Sequence, residues 1–260
     1  KEDTGFELEV KKTAGSAANL RLLSSNYIEL GIAQADLIDA AYQGTGVFTG
    51  KKCQNFKAVA SLYPEACQIV VRKDSDIETI DDLQGKKVSV GEEESGSELN
   101  ARQILEMSGL PEDLIKTKHL DYTDAADKLA AGKIDAFFFT AGAQTTVVEE
   151  LAKHCDIRLL NLDDKLRGKL TTAYPFYSDY TIPAGTYTGQ KEDIQTVCVQ
   201  SVLVASDALD NATVKKLTKT IFAHQKGLQY ATSVDLQLNE SSAIKGVPIP
   251  FHPGAAAYYS

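Results

Sequence analysis

The sequence predicts an α/β protein in which short apolar strands alternate with amphipathic helices. Runs of β-branched and aromatic residues, such as Ile134 to Phe139, are predominantly apolar, which is typical of strands covered on both faces. Segments of helical periodicity lie between these runs and indicate βαβ units with a parallel sheet. The length of 260 residues fits one large domain or two lobes.

Caps and periodicity assign the first elements. A helix over SAANLRLLSS is expected to be capped by Ser16, and a strand over IELGIAQ follows it. The next helix, ADLIDAAYQG, should end at Gly44, because glycine tolerates the left-handed conformation that closes many helices. Two strands are then expected, over FKAVASLY and over CQIVVRK.

The middle of the chain continues the alternation. IDDLQGKKVSVG predicts a turn and a strand, and SGSELNARQIL predicts a helix. The following elements are a strand over TKHLDY, a helix over DAADKLAAG, a strand over KIDAFFFT, a helix over QTTVVEELAKHC and a strand over IRLLNL. Leu170 to Asp193 is rich in Tyr, Pro, Gly and Thr and predicts a long loop. TVCVQSVLVAS then predicts a strand, and ATVKKLTKTIFAHQKGLQYA predicts a long amphipathic helix.

Composition narrows the classes of function. The 27 basic and 36 acidic residues give a net charge of −9, which argues against a nucleic-acid partner. No apolar run approaches the roughly 18 residues that a membrane span requires. The first residues, KEDTGFELEV, lack the apolar core of a signal peptide, but a processed exported protein would look the same, so location stays open. The four cysteines show no metal-type spacing, and both free thiols and one disulfide stay open.

Catalytic signatures are not found in the sequence. GTGVFTGKK differs from a phosphate loop in its glycine spacing, and Lys52 occupies the position of the magnesium-binding hydroxyl. The sequence contains no GxSxG, HExxH or GxGxxG motif, and the four histidines are scattered. His252, flanked by prolines and a glycine, is expected to hydrogen-bond backbone groups. The aromatic run Phe137 to Phe139 is expected to be core strand.

The stretch VSVGEEESGSELN supports two interpretations. Ser95 and Glu98 form the pattern of a capping box, in which the Ser95 hydroxyl accepts from the Glu98 amide and the Glu98 carboxylate accepts from the Ser95 amide. The same turn follows the carboxyl end of a predicted parallel strand, where ligands bind in open α/β sheets. A helix start and a binding site therefore both stay open.

A second turn has the same form. FFFTAGAQTT leaves a strand at Thr140, passes the small residues Ala141, Gly142 and Ala143, and enters a helix. A glycine in such a turn allows a ligand to approach the backbone closely. The alternative is a tight connection between packed elements.

The ordered series of motifs resembles the TAXI-type solute receptors of TRAP (tripartite ATP-independent periplasmic) transporters. The resemblance rests on AGSAANLRLLSS, IAQADLIDAAYQGTGVF, DDLQGKKVSVG, SGSELNARQIL, KIDAFFFTAG, TIPAGTY and PIPFHPGAAAYY, which follow in the family's order. It implies a type 2 periplasmic-binding-protein fold with two α/β lobes joined by crossing strands. It also implies a small organic solute in the interlobe cleft, no catalytic residue, no cofactor and no metal.

The resemblance assigns lobes and site residues. Residues 1–84 and 195–260 would form the first lobe, and residues 85–194 the second. The residues expected to contact the solute are Ser95, Gly96, Ser97, Thr140, Ala141, Gly142, Asn19, Gln34, Tyr63 and Tyr187. For Asn19, a hydrogen bond at the helix start is the equally weighted alternative.

Three departures from the family pattern affect these expectations. The family begins with a strand and a glycine-rich loop before the first helix, so a truncated first lobe with impaired binding or self-association is expected. Glu92 to Glu94 replace small residues and a glycine. If that glycine has a positive φ, the loop must differ, since the conformation costs other residues roughly 1–2 kcal/mol. Gln144 replaces a proline.

The expected function is an extracytoplasmic receptor, in the periplasm or as a cell-surface lipoprotein. It would deliver an amino acid or organic acid, with a glutamate- or glutamine-like solute favoured, to TRAP membrane subunits. The three glutamates argue against a simple acidic ligand. Another type 2 module, such as an ABC-transporter receptor or a sensor domain, is the alternative, and an enzyme on the same fold is a third hypothesis.

Overall fold

The computed structural model describes residue 5, residues 7–232, residues 234 and 236 and residues 238–260, and it confirms the α/β class. The residues outside the description all belong to the predicted first lobe and are 1–4, 6, 233, 235 and 237. The helices are α1 (Ser16–Ser24), α2 (Ala35–Gln43), α3 (Gly96–Ser108), α4 (Tyr122–Ala130), α5 (Thr146–His154), α6 (Asp164–Ala173), α7 (Asn211–Ala223), α8 (Gln225–Tyr230), α9 (Glu240–Ala243) and α10 (Pro253–Tyr259). The strands are β1 (Leu30–Gln34), β2 (Phe56–Arg72), β3 (Lys87–Ser89), β4 (Lys116–Lys118), β5 (Ala136–Ala141), β6 (Ile157–Leu159), β7 (Ser178–Ile182) and β8 (Ile194–Ser206).

The chain forms two compact units. Unit 1 contains Lys1–Tyr63 and Gln200–Ser260, and unit 2 contains Pro64–Val199. Strands β2 and β8 both run from one unit into the other. The division expected from the sequence changed lobe after residues 84 and 194. The units instead change within the two strands, because the second half of β2 pairs with β5 and β6 of unit 2.

The sheet of unit 2 is mixed rather than parallel. Strand β3 is parallel to β4 and to β5, as the sequence predicts. The prediction is wrong for β2, which is antiparallel to β5 and to β6. Strand β7, which lies in the predicted loop, is antiparallel to β8. A strand buried on both faces is apolar in either direction, so composition alone does not distinguish the two arrangements.

Helices cover both faces of this sheet. Helices α3 and α6 pack on one face through Ile104 and Leu166, and α4 and α5 pack on the other through Leu129 and Leu151. The aromatic run of β5 is divided between the faces, with Phe138 in the first cluster and Phe137 and Phe139 in the second. All three rings are buried, which confirms their predicted role as core strand.

Unit 1 is organised around β1, β8, α7 and α10. Strand β1 is antiparallel to β8, and α10 packs closely on α7. Gly254 makes this approach possible, since a Cβ at that position would lie 2.3 Å from the carbonyl oxygen of Asn211. His252 begins α10. Its Nδ1 accepts from the amide of Gly254, so Nε2 donates to the carbonyl of Leu209, and the predicted structural role is confirmed.

Several local predictions require correction. Gly15, not Ser16, is the N-cap of α1, and the Ser16 hydroxyl instead accepts from the amide of Gln34. The segment predicted as one long helix after β8 is interrupted at His224, between α7 and α8. The predicted loop from Leu170 contains the end of α6 and all of β7, whose mostly exposed, polar residues lack the apolar pattern of a buried strand. Gly44 ends α2 in the left-handed conformation, as predicted.

The described residues include no helix that is both long enough and apolar enough to cross a lipid bilayer. All four cysteines carry free thiols, so of the two possibilities that their spacing left open, the structure has free thiols and not a disulfide.

Candidate functional site

Three helices of unit 2 begin at the same edge of its sheet. Strands β3, β4 and β5 run parallel to one another. The next helix after each of them is α3, α4 and α5, respectively. Their carboxyl ends, and therefore the helix N-termini, share one edge. The first amides of a helix have no intrahelical acceptor and carry a partial positive charge. This edge is where open α/β sheets bind ligands.

The first turn contains Ser95, Gly96 and Ser97, all of which are buried. Ser95 is the N-cap of α3, and its hydroxyl accepts from the amide of Glu98 at 3.1 Å, as predicted. The second half of the predicted capping box is wrong, because the Glu98 carboxylate accepts from the amide of Glu94. The Ser95 amide donates to the carbonyl of Glu92 instead.

The loop before α3 requires two left-handed residues. Gly91 has a φ of 104°, and a Cβ there would lie 2.8 Å from the Cβ of Ser97. Glu94 has a φ of 67°, so a glutamate adopts the left-handed conformation in this loop. Glu94, the last residue of the acidic run, is therefore strained, and it lies immediately before the N-cap Ser95.

Ser97 joins the first turn to the end of β5. Its hydroxyl accepts from the amide of Thr140 at 2.9 Å. The Tyr122 hydroxyl lies 3.5 Å from the same oxygen and donates to the carbonyl of Thr140 at 3.3 Å. Ser97 and Thr140, predicted separately as solute contacts, are thus brought together. Tyr122 is the first residue of α4 and completes the cluster.

The sequence analysis missed Tyr122. Its position at the end of the predicted strand TKHLDY is the signal that could have identified it, since this strand ends at the same edge. Burial raises the pKa of its phenol, and the carboxylates of Glu65 and Glu92 raise the pKa further. The hydroxyl therefore stays protonated and can donate a hydrogen bond.

The second turn, Thr140 to Gly142, continues into α5. Thr140 is buried, and its hydroxyl lies 3.5 Å from the sulfur of Cys67. Gly142 is buried, and its carbonyl accepts from the hydroxyl of Thr145 at 3.1 Å. Gln144, which replaces the family's proline, has a φ of 65°. The conformation of this turn therefore depends on a left-handed residue just before its helix, as does the first turn.

Tyr187 supports the second turn from the interior. Its side chain is buried, and its hydroxyl accepts from the amide of Thr145 at 3.1 Å and donates to Oε1 of Gln68 at 2.8 Å. Burial raises the pKa of this phenol. Tyr187 and Gln68 together position the start of α5. The sequence analysis identified Tyr187 but not Gln68.

Three predicted residues belong to unit 1. The Asn19 carboxamide donates to the carbonyl of Ile32 at 2.8 Å and accepts from the Thr13 hydroxyl at 2.6 Å, so it ties α1 to strand β1. Gln34 is the buried last residue of β1 and the N-cap position of α2. Tyr63 is a partly exposed residue of β2. Their contact with a solute remains a prediction.

The groups that an enzyme hypothesis would use are not arranged for catalysis. Nδ1 of His119 lies 3.7 Å from Oε1 of Glu98, which is longer than a hydrogen bond. Cys155 follows the C-terminal end of α5, opposite the end at which the second turn lies. Burial raises the pKa of its thiol, which disfavours the nucleophilic thiolate. In the part of the chain that the structure covers, no three His, Cys, Asp or Glu side chains form a metal-binding group.

The chain has the fold of periplasmic binding proteins. The phosphonate-binding component of an ABC transporter from Pseudomonas aeruginosa is similar, with a TM-score of 0.54, 12% identity, and coverage of 85% of this chain and 65% of that one. An ancestral arginine-binding protein bound to arginine has a TM-score of 0.53 at 17% identity, with 88% and 80% coverage. The periplasmic aliphatic sulphonate binding protein of Escherichia coli has a TM-score of 0.49 at 17% identity, with 94% and 66% coverage. At such identities the similarity establishes the fold alone.

The chain belongs to the NMT1-like family, whose model matches residues 1–260. It spans just under two thirds of the length of the sulphonate- and phosphonate-binding proteins, 66% and 65% respectively.

Proposed function

We propose that this chain is an extracytoplasmic solute receptor of the TAXI type, which binds a small polar organic solute and delivers it to TRAP membrane subunits. An amino acid or organic acid is the expected solute class, and no covalent step is involved. The membership of the NMT1-like family and the periplasmic-binding-protein fold support a receptor. The TRAP partner rests on the ordered motifs of the sequence.

The observation that carries the proposal is the cluster at the start of α3, α4 and α5. Ser97, Tyr122 and Thr140 are joined by hydrogen bonds at the edge where the three helices begin. The amides of Gly96 and Ser97 are the first two of α3, so they have no acceptor within the helix. No other described residue accepts from them, which leaves both for water or a ligand. We infer that these amides donate to polar groups of the solute. The Tyr122 hydroxyl donates its single proton to the carbonyl of Thr140, so it holds this edge in place and can accept from the solute.

Thermal unfolding with a panel of amino acids and dicarboxylates tests this function. A solute present at about 100 times its Kd stabilises the folded state by about 2.7 kcal/mol, which raises the Tm by several degrees. Tyr122→Phe should reduce this shift, since the ring remains but the hydroxyl contacts that hold the edge at Ser97 and Thr140 are lost. Tyr27→Phe, at a side chain that is 76% exposed, should leave the shift unchanged.

Absence of a shift across a broad panel would contradict a solute receptor. An equal shift in wild-type protein and Tyr122→Phe would contradict the assigned site but leave the function standing.

An ABC-transporter receptor is the second candidate, favoured by the ABC phosphonate-binding protein among the similar structures. The two candidates differ in their membrane partner. Uptake of labelled solute into proteoliposomes that contain TRAP subunits should proceed without ATP. Strict dependence on ATP and on an ATPase subunit in the native membrane would instead support the ABC candidate.

A further inference from the structure

A second concave site lies in unit 2, outside the cluster at the helix N-termini. Its volume is about 320 Å³, at the lower end of the roughly 300–1,000 Å³ typical of small-molecule pockets. Its apolar lining includes Ile157 and Leu159 of β6 and Ile194 of β8, which also belong to the buried cluster on this face. These three residues are not among the predicted solute contacts, although Tyr187, which is, also lines the pocket. The apolar floor suits the hydrocarbon part of a ligand.

The polar lining of this pocket carries more positive than negative charge. Lys73, Arg158 and Lys191 line it together with Glu78 and Glu192. Among the described residues, the ammonium groups of Lys73 and Lys191 have no acidic partner within 4.0 Å. The pocket thus has a net charge of +1 (three cations and two carboxylates), whereas the whole chain has −9. This local excess favours an anion.

Arg158 is the fixed cation of the pocket. Its guanidinium donates to the carbonyls of Lys73 and Ser75 at 3.2 and 3.3 Å, and it lies 3.4 Å from the Glu78 carboxylate. Its Nε is buried and has no hydrogen-bond partner among the residues that the structure describes. A buried donor without a partner is costly, and an acceptor supplied by a ligand would remove that cost.

The segment beside the pocket is held in place without a ligand. Nε2 of Gln190 donates to the carbonyls of Pro183 and Glu192, at 3.0 and 2.9 Å. The hydroxyl and amide of Thr188 donate to the Glu149 carboxylate of α5 at 2.7 and 2.9 Å. A preformed wall loses little conformational entropy when a ligand binds.

We propose that this pocket is a second binding site, for a small organic monoanion with an apolar body. The carboxylate of the ligand lies at the cationic side, near Lys73, Arg158 and Lys191, and its hydrocarbon part contacts Ile157, Leu159 and Ile194. No residue of the Ser97, Tyr122 and Thr140 cluster lines this pocket, so the ligand of the second site would not contact that cluster. Tyr187, which supports the second turn, is the one predicted solute contact that also lines it.

Calorimetric titration of the full chain with benzoate tests the proposal. Benzamide, which has the same ring without the charge, and acetate, which has the charge without the ring, should each bind at least tenfold more weakly. Lys73→Glu combined with Lys191→Glu should weaken benzoate binding by at least tenfold, since charge-assisted contacts are lost. Lys133→Glu combined with Lys165→Glu, at exposed lysines of the same unit, is the control of equal charge and should leave binding unchanged.

Three results would overturn the second site. They are the absence of saturable benzoate binding, equal binding of benzoate and benzamide, and equal losses in the two double variants. Tyr122→Phe separates this site from the solute site. It should leave benzoate binding unchanged, and its loss in that variant would place benzoate at the helix N-termini. Melting curves of each variant confirm that it is folded.

Discussion

Glu94 has a left-handed backbone conformation that is unfavourable for a residue with a side chain. It has a φ of 67°, in a region that costs a residue with a Cβ roughly 1–2 kcal/mol. We expect Glu94→Gly to raise the free energy of unfolding by about 0.5–1 kcal/mol, since the gain is partly offset by the greater freedom of glycine in the unfolded chain. Urea denaturation measures the change.

The neighbouring Glu93 provides the matched control. It is exposed and does not have a positive φ, so Glu93→Gly loses chain stiffness without relieving strain. The two substitutions remove the same charge and side chain and should change stability in opposite directions. If Glu94→Gly destabilised the protein as much as Glu93→Gly does, the strain would be refuted.

The hydroxyl of Ser97 accepts a hydrogen bond from the amide of Thr140, a residue distant in the chain. Ser97→Ala would leave the buried amide of Thr140 without its acceptor, which costs about 1–3 kcal/mol. The hydroxyl of Ser89 is also buried but has no hydrogen-bond partner in the described part of the chain, so Ser89→Ala should be neutral or slightly stabilising. Comparison of the two unfolding free energies tests the role of Ser97, and equal values would contradict it.

At the scale of elements, the contact between α5 and the segment after β7 depends on pH. Hydrogen bonds from the hydroxyl and amide of Thr188 lower the pKa of Glu149 below its ordinary value of 4.5. A lowered pKa in the folded state means that the stabilisation is complete above the ordinary value and is lost as the pH falls through the folded-state pKa. We therefore expect Glu149→Gln to lower the Tm at pH 7.

The pH dependence distinguishes this contact from a general charge effect. The difference in Tm between wild-type protein and Glu149→Gln should shrink as the pH is lowered from 5 towards 3, because the wild-type carboxylate becomes protonated. Glu150→Gln is the control, since Glu150 forms only an exposed pair with Lys153, worth little. A difference that stayed constant over this range would contradict the role of Glu149.

The two turns show how far local pattern predicted the elements. The Ser95 cap of α3 and the Gly44 end of α2 were predictable, because each depends on a few neighbouring residues. The partner of the Glu98 carboxylate was not, since it depends on the left-handed turn at Glu94. Strand β7 was missed for a different reason. Its residues are mostly exposed, and only pairing with β8 makes them a strand.

The candidate site was predicted in its segments but not in its contacts. Ser97 and Thr140 were both identified, yet the hydrogen bond between them joins residues 43 positions apart. Gln68 was not identified, because nothing in its local sequence differs from an ordinary strand interior. Tyr122 was also missed, although its position at the end of a predicted strand was a usable signal. Asn19 was identified from its segment, but the sequence did not reveal that its carboxamide is hydrogen-bonded to Thr13 and Ile32 within unit 1.

At the scale of the whole molecule, the chain enters unit 2 in β2 and returns to unit 1 in β8. The sequence analysis assigned residues 195–260 to the first lobe, through the resemblance of the ordered motifs. It predicted two strands in place of β2, because the apolar runs FKAVASLY and CQIVVRK are separated by Pro64, Glu65 and Ala66. Their continuity depends on pairing partners such as β5, which local sequence does not reveal.

The sequence by itself determined the α/β class, the existence of most helices and strands, and the two turns from which a solute site is proposed. These follow from periodicity, caps and glycines, which act over a few residues. Only the tertiary structure decided strand direction, the cluster of Ser97, Tyr122 and Thr140, the support of α5 by Tyr187, and the cationic pocket at Arg158. These depend on pairing and packing between residues far apart in the chain, and such contacts leave no local pattern.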